Sequence, residues 1–100
     1  MPQENAGLKE RTNYKIKEPK KYNIVFYNDD FTPMDFVVAI LTEVFYLDLP
    51  VAEQKMLQVH NEGKAIVATY SYDIATSKTA KATSIARELG YPLRIKVEPA

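Results

Sequence analysis

The segment Asn28-Asp29-Asp30-Phe31-Thr32-Pro33-Met34-Asp35 sets an amide, three carboxylates and a hydroxyl within eight residues of chain. Ionised carboxylates only accept hydrogen bonds, so such a cluster suits a donor: backbone N–H groups, a metal ion or an ammonium group. The backbone is the simplest of these. Asn28-Asp29-Asp30 favours a turn, Thr32 can cap a helix that Pro33 opens, and Asp35 falls at the third helical position, near that helix's positive end. Calcium fits poorly, because the spaced oxygen ligands, central Gly and terminal Glu of an EF-hand loop are missing. An ammonium ion carrying an apolar group is the third occupant. Met34 and Val37 lie within one helical turn of the polar segment, and Met56 and His60, four residues apart, share a face of a later helix. Where those helices meet, amide and carboxylate oxygens can hold the charge while the methionines and Val37 contact the apolar part.

Little else in the chain could perform chemistry. There is no Cys and one His, which removes thiol–His catalysis and every Cys-containing zinc site. Gly63-Lys64 lacks the preceding glycines of a phosphate loop and reads as a helix stop before a strand. A hydrolase built on Asp29 and His60 has no specified nucleophile, so no catalytic residue, cofactor or metal is expected. A nucleic-acid module is the other alternative. Lys9, Arg11, Lys15, Lys17, Lys20 and Lys21 make a basic arm, and seven Tyr offer stacking surfaces. Three acidic residues in the same arm, and a whole chain with 13 basic and 13 acidic side chains, argue against it.

The elements that must position the site are legible from periodicity. Tyr22, Ile24 and Phe26 alternate with Asn23, Val25 and Tyr27 in a strand, either half-buried or internal. Phe36, Val37, Ile40, Leu41, Val44 and Phe45 recur at helical spacing, giving a helix from Pro33 to Phe45. Pro50 starts a second helix on which Ala52, Met56 and Val59 share a face, and Gly63 stops it. Ala65–Tyr70 is a strand, Ser71-Tyr72 a turn, and Asp73–Leu89 a third helix with Ile74, Ala82, Ile85 and Leu89 as its apolar sector and Lys78 projecting into that sector. Gly90 and Pro92 end it, and Leu93, Ile95 and Val97 alternate with Arg94, Lys96 and Glu98 in a last strand. The order β-α-α-β-α-β predicts a compact two-layer α+β domain with three helices packed against a small sheet. Its strand order cannot be read from sequence. One hundred residues suit one domain, here residues 21–100, preceded by a flexible polar extension over residues 1–20. No apolar run reaches membrane-spanning length, and a soluble cytoplasmic protein is the expectation.

The ordered series Asn28 to Val37, Met56-Leu57-Gln58-Val59-His60 and Gly63-Lys64-Ala65 resembles the ClpS adaptor family of the N-degron pathway. The resemblance continues through the third helix to Tyr91-Pro92-Leu93 and covers about residues 21–98. It implies a non-enzymatic adaptor that captures proteins with an N-terminal Leu, Phe, Tyr or Trp. These are delivered to a Clp-family AAA+ unfoldase for proteolysis, so the implied partners are hydrophobic N-degron substrates and the unfoldase's N-terminal domain, with no nucleic acid and no membrane. By matching positions, Asn28, Asp29 and His60 bind the substrate α-amino group and first peptide unit. Asp30, Thr32, Met34, Val37, Met56 and Leu93 shape the side-chain pocket, with Met34 as a gate against β-branched residues. Asp73 and Lys78 match part of the unfoldase-docking surface. Asp73 stands where the family often has Glu, Ser77 where another acid is common, Gln58 where a small residue is common, and Phe31 where Tyr is common.

Overall fold

The computed structural model describes residues 20–100. The extension expected over residues 1–20 lies outside the described residues, Lys20 excepted. Six elements follow in order: β1 (Lys21–Tyr27), α1 (Met34–Glu43), α2 (Leu49–Glu62), β2 (Lys64–Ser71), α3 (Tyr72–Glu88) and β3 (Arg94–Pro99). The strands form one antiparallel sheet in the order β2-β1-β3. The helices pack α1 on α2, α2 against β2, and α3 against all three strands. This is the expected two-layer α+β arrangement, and β1 is its internal strand.

Being central, β1 is buried on both faces, and Ile24, Val25 and Phe26 are all inaccessible. Ile24 and Phe26 join the helix-facing core with Ala65, Val67 and Ile95. Val25 points the other way, yet is 3% exposed. Tyr27 accounts for this: its hydroxyl donates to Glu98 Oε2 at 2.8 Å, and Glu98 is registered opposite Asn23, so the ring must lie along the strand over Val25. The Arg94 guanidinium, 4.3 Å from that ring's centroid, holds it down. A bulge leaves Val67 as the extra residue between the pairs Ile24–Ala68 and Val25–Ile66.

Several local expectations are corrected. Thr32 does not cap α1; the helix begins at Met34, with Pro33 at ψ 144 in the flanking position and no side-chain cap bond. Asp35 is therefore the second helical residue. A residue before proline is pushed out of the helical region, and the Thr32 hydroxyl has a stronger acceptor in Asp29. The same helix ends at Glu43, and Tyr46 adopts a left-handed φ of 56 as the chain leaves it. No turn separates β2 from α3, because Ser71 ends one and flanks the other. Leu93 immediately precedes its strand. On α3 the buried stripe is Ala75, Ala82 and Ala86, whereas Ile74 and Leu89 are 48% and 58% exposed. Small side chains let this face of the helix pack into the core, and Ile74, next to Ala75, and Leu89, three residues beyond Ala86, are left outside.

Candidate functional site

Gly63 brings the two halves of the site together. At φ 92 it ends α2 in the left-handed conformation that glycine adopts at no steric cost, and its amide donates to Val59 O at 2.9 Å. Its own carbonyl accepts from Asn28 N at 2.9 Å. The last turn of α2, carrying His60, is thereby tied to the end of β1, where Asn28 begins the polar segment.

Asp29 then shapes the loop. Its Oδ1 accepts from the backbone N–H of Phe31 at 2.8 Å and of Thr32 at 2.7 Å, and its Oδ2 accepts from Thr32 Oγ1 at 2.8 Å. Partial desolvation pushes its carboxyl upward. The Thr32 and Phe31 amides, the Thr32 hydroxyl and the charge of Arg87 together outweigh it and hold the group below the usual carboxylate range. Asp29 is thus ionised at neutral pH. A carboxylate has about four acceptor positions, so one remains on Oδ2 for an external donor.

Asn28, Asp29, Thr32, Met34, Val37, Met56, His60 and Leu93 all line one small cavity of about 20 Å³. Eight of the expected site residues therefore meet in space. Asn28 and His60 are exposed at the mouth, Asp29 and Thr32 are half-buried, and Val37 and Leu93 belong to the core at its floor. Met34, 48% exposed, stands at the rim as the first residue of α1. Leu93 arrives through the connector after α3, pinned by the Tyr91 amide on Ala86 O at 2.8 Å and by Arg87 Nη1 donating to Tyr91 O at 2.7 Å. Phe36 packs edge-on against Tyr91 at 4.8 Å, tying the same connector to α1.

Asp30, exposed on the turn, is not among the lining residues. Two lining residues were missed, Tyr27 and Val59. Both carried a signal: Tyr27 directly precedes Asn28, and Val59 shares the helix face of Met56. Asp73 and Lys78 lie on α3, outside the cavity. Asp73 is exposed in the first turn. The Lys78 ammonium is turned inward, donating to Val44 O at 2.9 Å beneath the Tyr46 ring, whose centroid is 4.4 Å away. It therefore caps the C-terminal end of α1, where cations are favoured.

Among the described residues no group of His, Asp and Glu is arranged to hold a metal ion, and no helix is long and apolar enough to cross a membrane. The fold is a small α+β domain whose cavity carries polar groups at its mouth and apolar side chains at its floor. The chain belongs to the ClpS family: the family model described as ATP-dependent Clp protease adaptor protein ClpS matches residues 17–96. It is 51% identical over 93 residues to the ATP-dependent Clp protease adapter protein ClpS of Vibrio atlanticus (strain LGP32), covering 93% of this chain and 88% of that one. Identity to the protein of the same name from Burkholderia mallei (strain SAVP1) is 41% over 97 residues, covering 97% and 93%. The solved structure of Agrobacterium tumefaciens ClpS2 bound to L-phenylalaninamide superposes with a TM-score of 0.79 at 36% identity, covering 83% of this chain and all of that one. The chain is thus a Clp protease adaptor of the ClpS family.

Proposed function

We propose that this adaptor captures proteins through a free N-terminal Leu, Phe, Tyr or Trp and passes them, breaking no bond itself, to a Clp AAA+ unfoldase in the cytoplasm. The observation that carries the reading is the single cavity with Asn28, Asp29 and His60 at its mouth and Val37, Val59 and Leu93 at its floor. The substrate ammonium donates to the free position on Asp29 Oδ2 and to the Asn28 side-chain oxygen, while His60 holds the first peptide unit. The first side chain enters between Met34 and Met56. An α-ammonium exists only at a chain start, so demanding both charge and apolar bulk excludes internal Leu and Phe. The relative solved with L-phenylalaninamide supports this chemistry, since that ligand pairs a free α-amino group with a phenyl ring.

Met34 acts as the gate. A β-branched side chain widens beside the backbone, where the rim methionine lies, whereas Leu branches one carbon deeper. Delivery uses a separate surface of α3 around Asp73 and Lys78, docking the N-terminal domain of the unfoldase. The test is titration of fluorescent peptides identical except for N-terminal Phe, Leu, Ile or Ala, with N-acetylated Phe as control. Tight binding of free Phe and Leu, abolished by acetylation, is the expected result. Indifference to the first residue and its amino group refutes the reading.

A further inference from the structure

The helices pack on the face of the sheet that carries Ile24, Phe26 and Ile95. On the opposite face the register sets side chains in three rows across the strands: Lys64, Tyr27 and Arg94, then Ile66, Val25 and Lys96, then Thr69, Asn23 and Glu98. Lys64, Arg94 and Lys96 are exposed, and so is Ile66, at 48%. Lys55 and Gln58 of α2 wall one side of this face, closing a groove of about 290 Å³ over Val25 and Ile66, with Lys64 and Glu98 also lining it. None of the groove's lining residues lines the cavity.

The charge here is one-sided. Lys55, Lys64, Arg94 and Lys96 surround a single acid, Glu98, whose carboxylate already accepts from the Tyr27 hydroxyl at 2.8 Å. The chain as a whole has 13 basic and 13 acidic side chains, so the imbalance belongs to this face and steers an anionic partner to it. Single-stranded nucleic acid would need an open aromatic ring for stacking. The ring on this face, Tyr27, is flanked by the Arg94 guanidinium at 4.3 Å and the Lys64 ammonium at 5.9 Å from its centroid. An exposed Ile beside cations suits a protein segment bearing both acids and an apolar residue. Residues 1–20 of this chain do not match, with five basic side chains to three acidic.

We infer that the open sheet face docks an extended acidic segment of a partner protein, with an apolar residue two positions from an acid. Lys64 and Ile66 stand two residues apart on β2, about 7 Å, and alternate side chains of an extended peptide have the same spacing. An acid over Lys64 therefore sets the next-but-one side chain over Ile66. Arg94 and Lys96 lie two interstrand spacings away, about 10 Å, where they attract the segment's flanking acids. Reversing one exposed charge removes an attraction and adds a repulsion, changing affinity about three- to tenfold. Screening by salt weakens the contact.

The experiment measures anisotropy of labelled, N-acetylated peptides repeating Glu-Ser-Leu-Ser on the full chain, at low and high salt. Acetylation keeps the cavity out of the measurement. Controls replace every Leu by Ser, or every Glu by Lys, and add a single-stranded oligothymidylate. The Glu-Ser-Leu-Ser peptide is expected to bind most tightly, and Lys55→Glu and Lys96→Glu each to weaken it about three- to tenfold. Ile66→Ser should erase the advantage of Leu over Ser, and all three variants should hold a free N-terminal Phe peptide within about twofold of the native affinity. Equal binding of the Leu and Ser peptides, or affinity unmoved by the three variants, overturns the inference. Tighter binding of the oligothymidylate assigns the face to nucleic acid instead. Self-association in sedimentation that Lys96→Glu abolishes assigns it to a second copy of the chain, and either result also overturns the inference.

Discussion

Substituting Asp29 by Asn isolates the charge of the site from its shape. In the native loop Oδ1 accepts from two backbone amides and Oδ2 from the Thr32 hydroxyl. Asn retains Oδ1 for the amides, and its NH₂ can donate to Thr32 Oγ1, which accepts as readily as it donates. The loop should therefore persist, with charge-assisted bonds replaced by neutral ones at a cost of about 1–2 kcal/mol. Ligand binding suffers differently. The acceptor left on Oδ2 becomes a donor facing an ammonium ion, losing a hydrogen bond to a charged group that contributes about 1.5–3 kcal/mol. Because Asp29 is half-buried rather than enclosed, the lower part of that range applies, which is roughly a 10- to 30-fold weaker Kd. Fluorescence anisotropy with an N-terminal Phe peptide measures the affinity, and urea unfolding measures the stability. An Asn variant that folds and binds with native affinity refutes the assignment of Asp29 as the ammonium acceptor. Asp29→Ala leaves the Phe31 and Thr32 amides without their acceptor and should lose loop stability as well.

Met34→Ala should admit peptides beginning with Ile or Val, which the native protein rejects, with little change for Phe; retained discrimination in titrations excludes the gate. His60→Ala, altering an exposed side chain at the mouth, should weaken peptide binding while leaving the urea midpoint nearly unchanged. Affinity should fall about tenfold per pH unit above roughly pH 8, as the substrate's α-amino group loses its proton. On the acid side the Asp29 carboxyl lies below its unfolded value, so the stability it contributes is present above about pH 3.9 and is lost as pH falls further, through the folded value; acid titration followed by circular dichroism checks the sign. Lys78→Met removes the ammonium from Val44 O and from beneath Tyr46, and should destabilise the domain by about 1–2 kcal/mol with peptide affinity unchanged once folded.

Much of the fold was legible because its elements carry strong local signals. Alternation in Tyr22–Tyr27, the apolar recurrence from Phe36 to Phe45 and the stop at Gly63 each place an element to within a residue or two. The errors lie where local chemistry had competitors. Thr32 is a good capping residue in isolation, but Asp29 three residues earlier takes its hydroxyl. Ile74 and Leu89 are more apolar than Ala75 and Ala86, but the alanines lie on the face of α3 that packs into the core. Lys78 lies three residues after Ala75 and four before Ala82, beside the buried stripe, and this explains why an apparently misplaced cation finds a carbonyl at the core's edge.

The sequence by itself determined which residues are suited to an ammonium ion and an apolar side chain, because donor and acceptor types, helix faces and chain breaks are properties of residue type and spacing. It also carried the family pattern, whose residues recur in order along the chain. Only the tertiary structure decided that these residues meet, because Asn28 N at the end of β1 donates to the carbonyl of Gly63, three residues beyond His60. It likewise moved Asp30 away from the cavity and turned Lys78 inward. Such placements depend on how helices and strands pack across long separations in the chain, and that is settled by burial and hydrogen bonding in the folded whole.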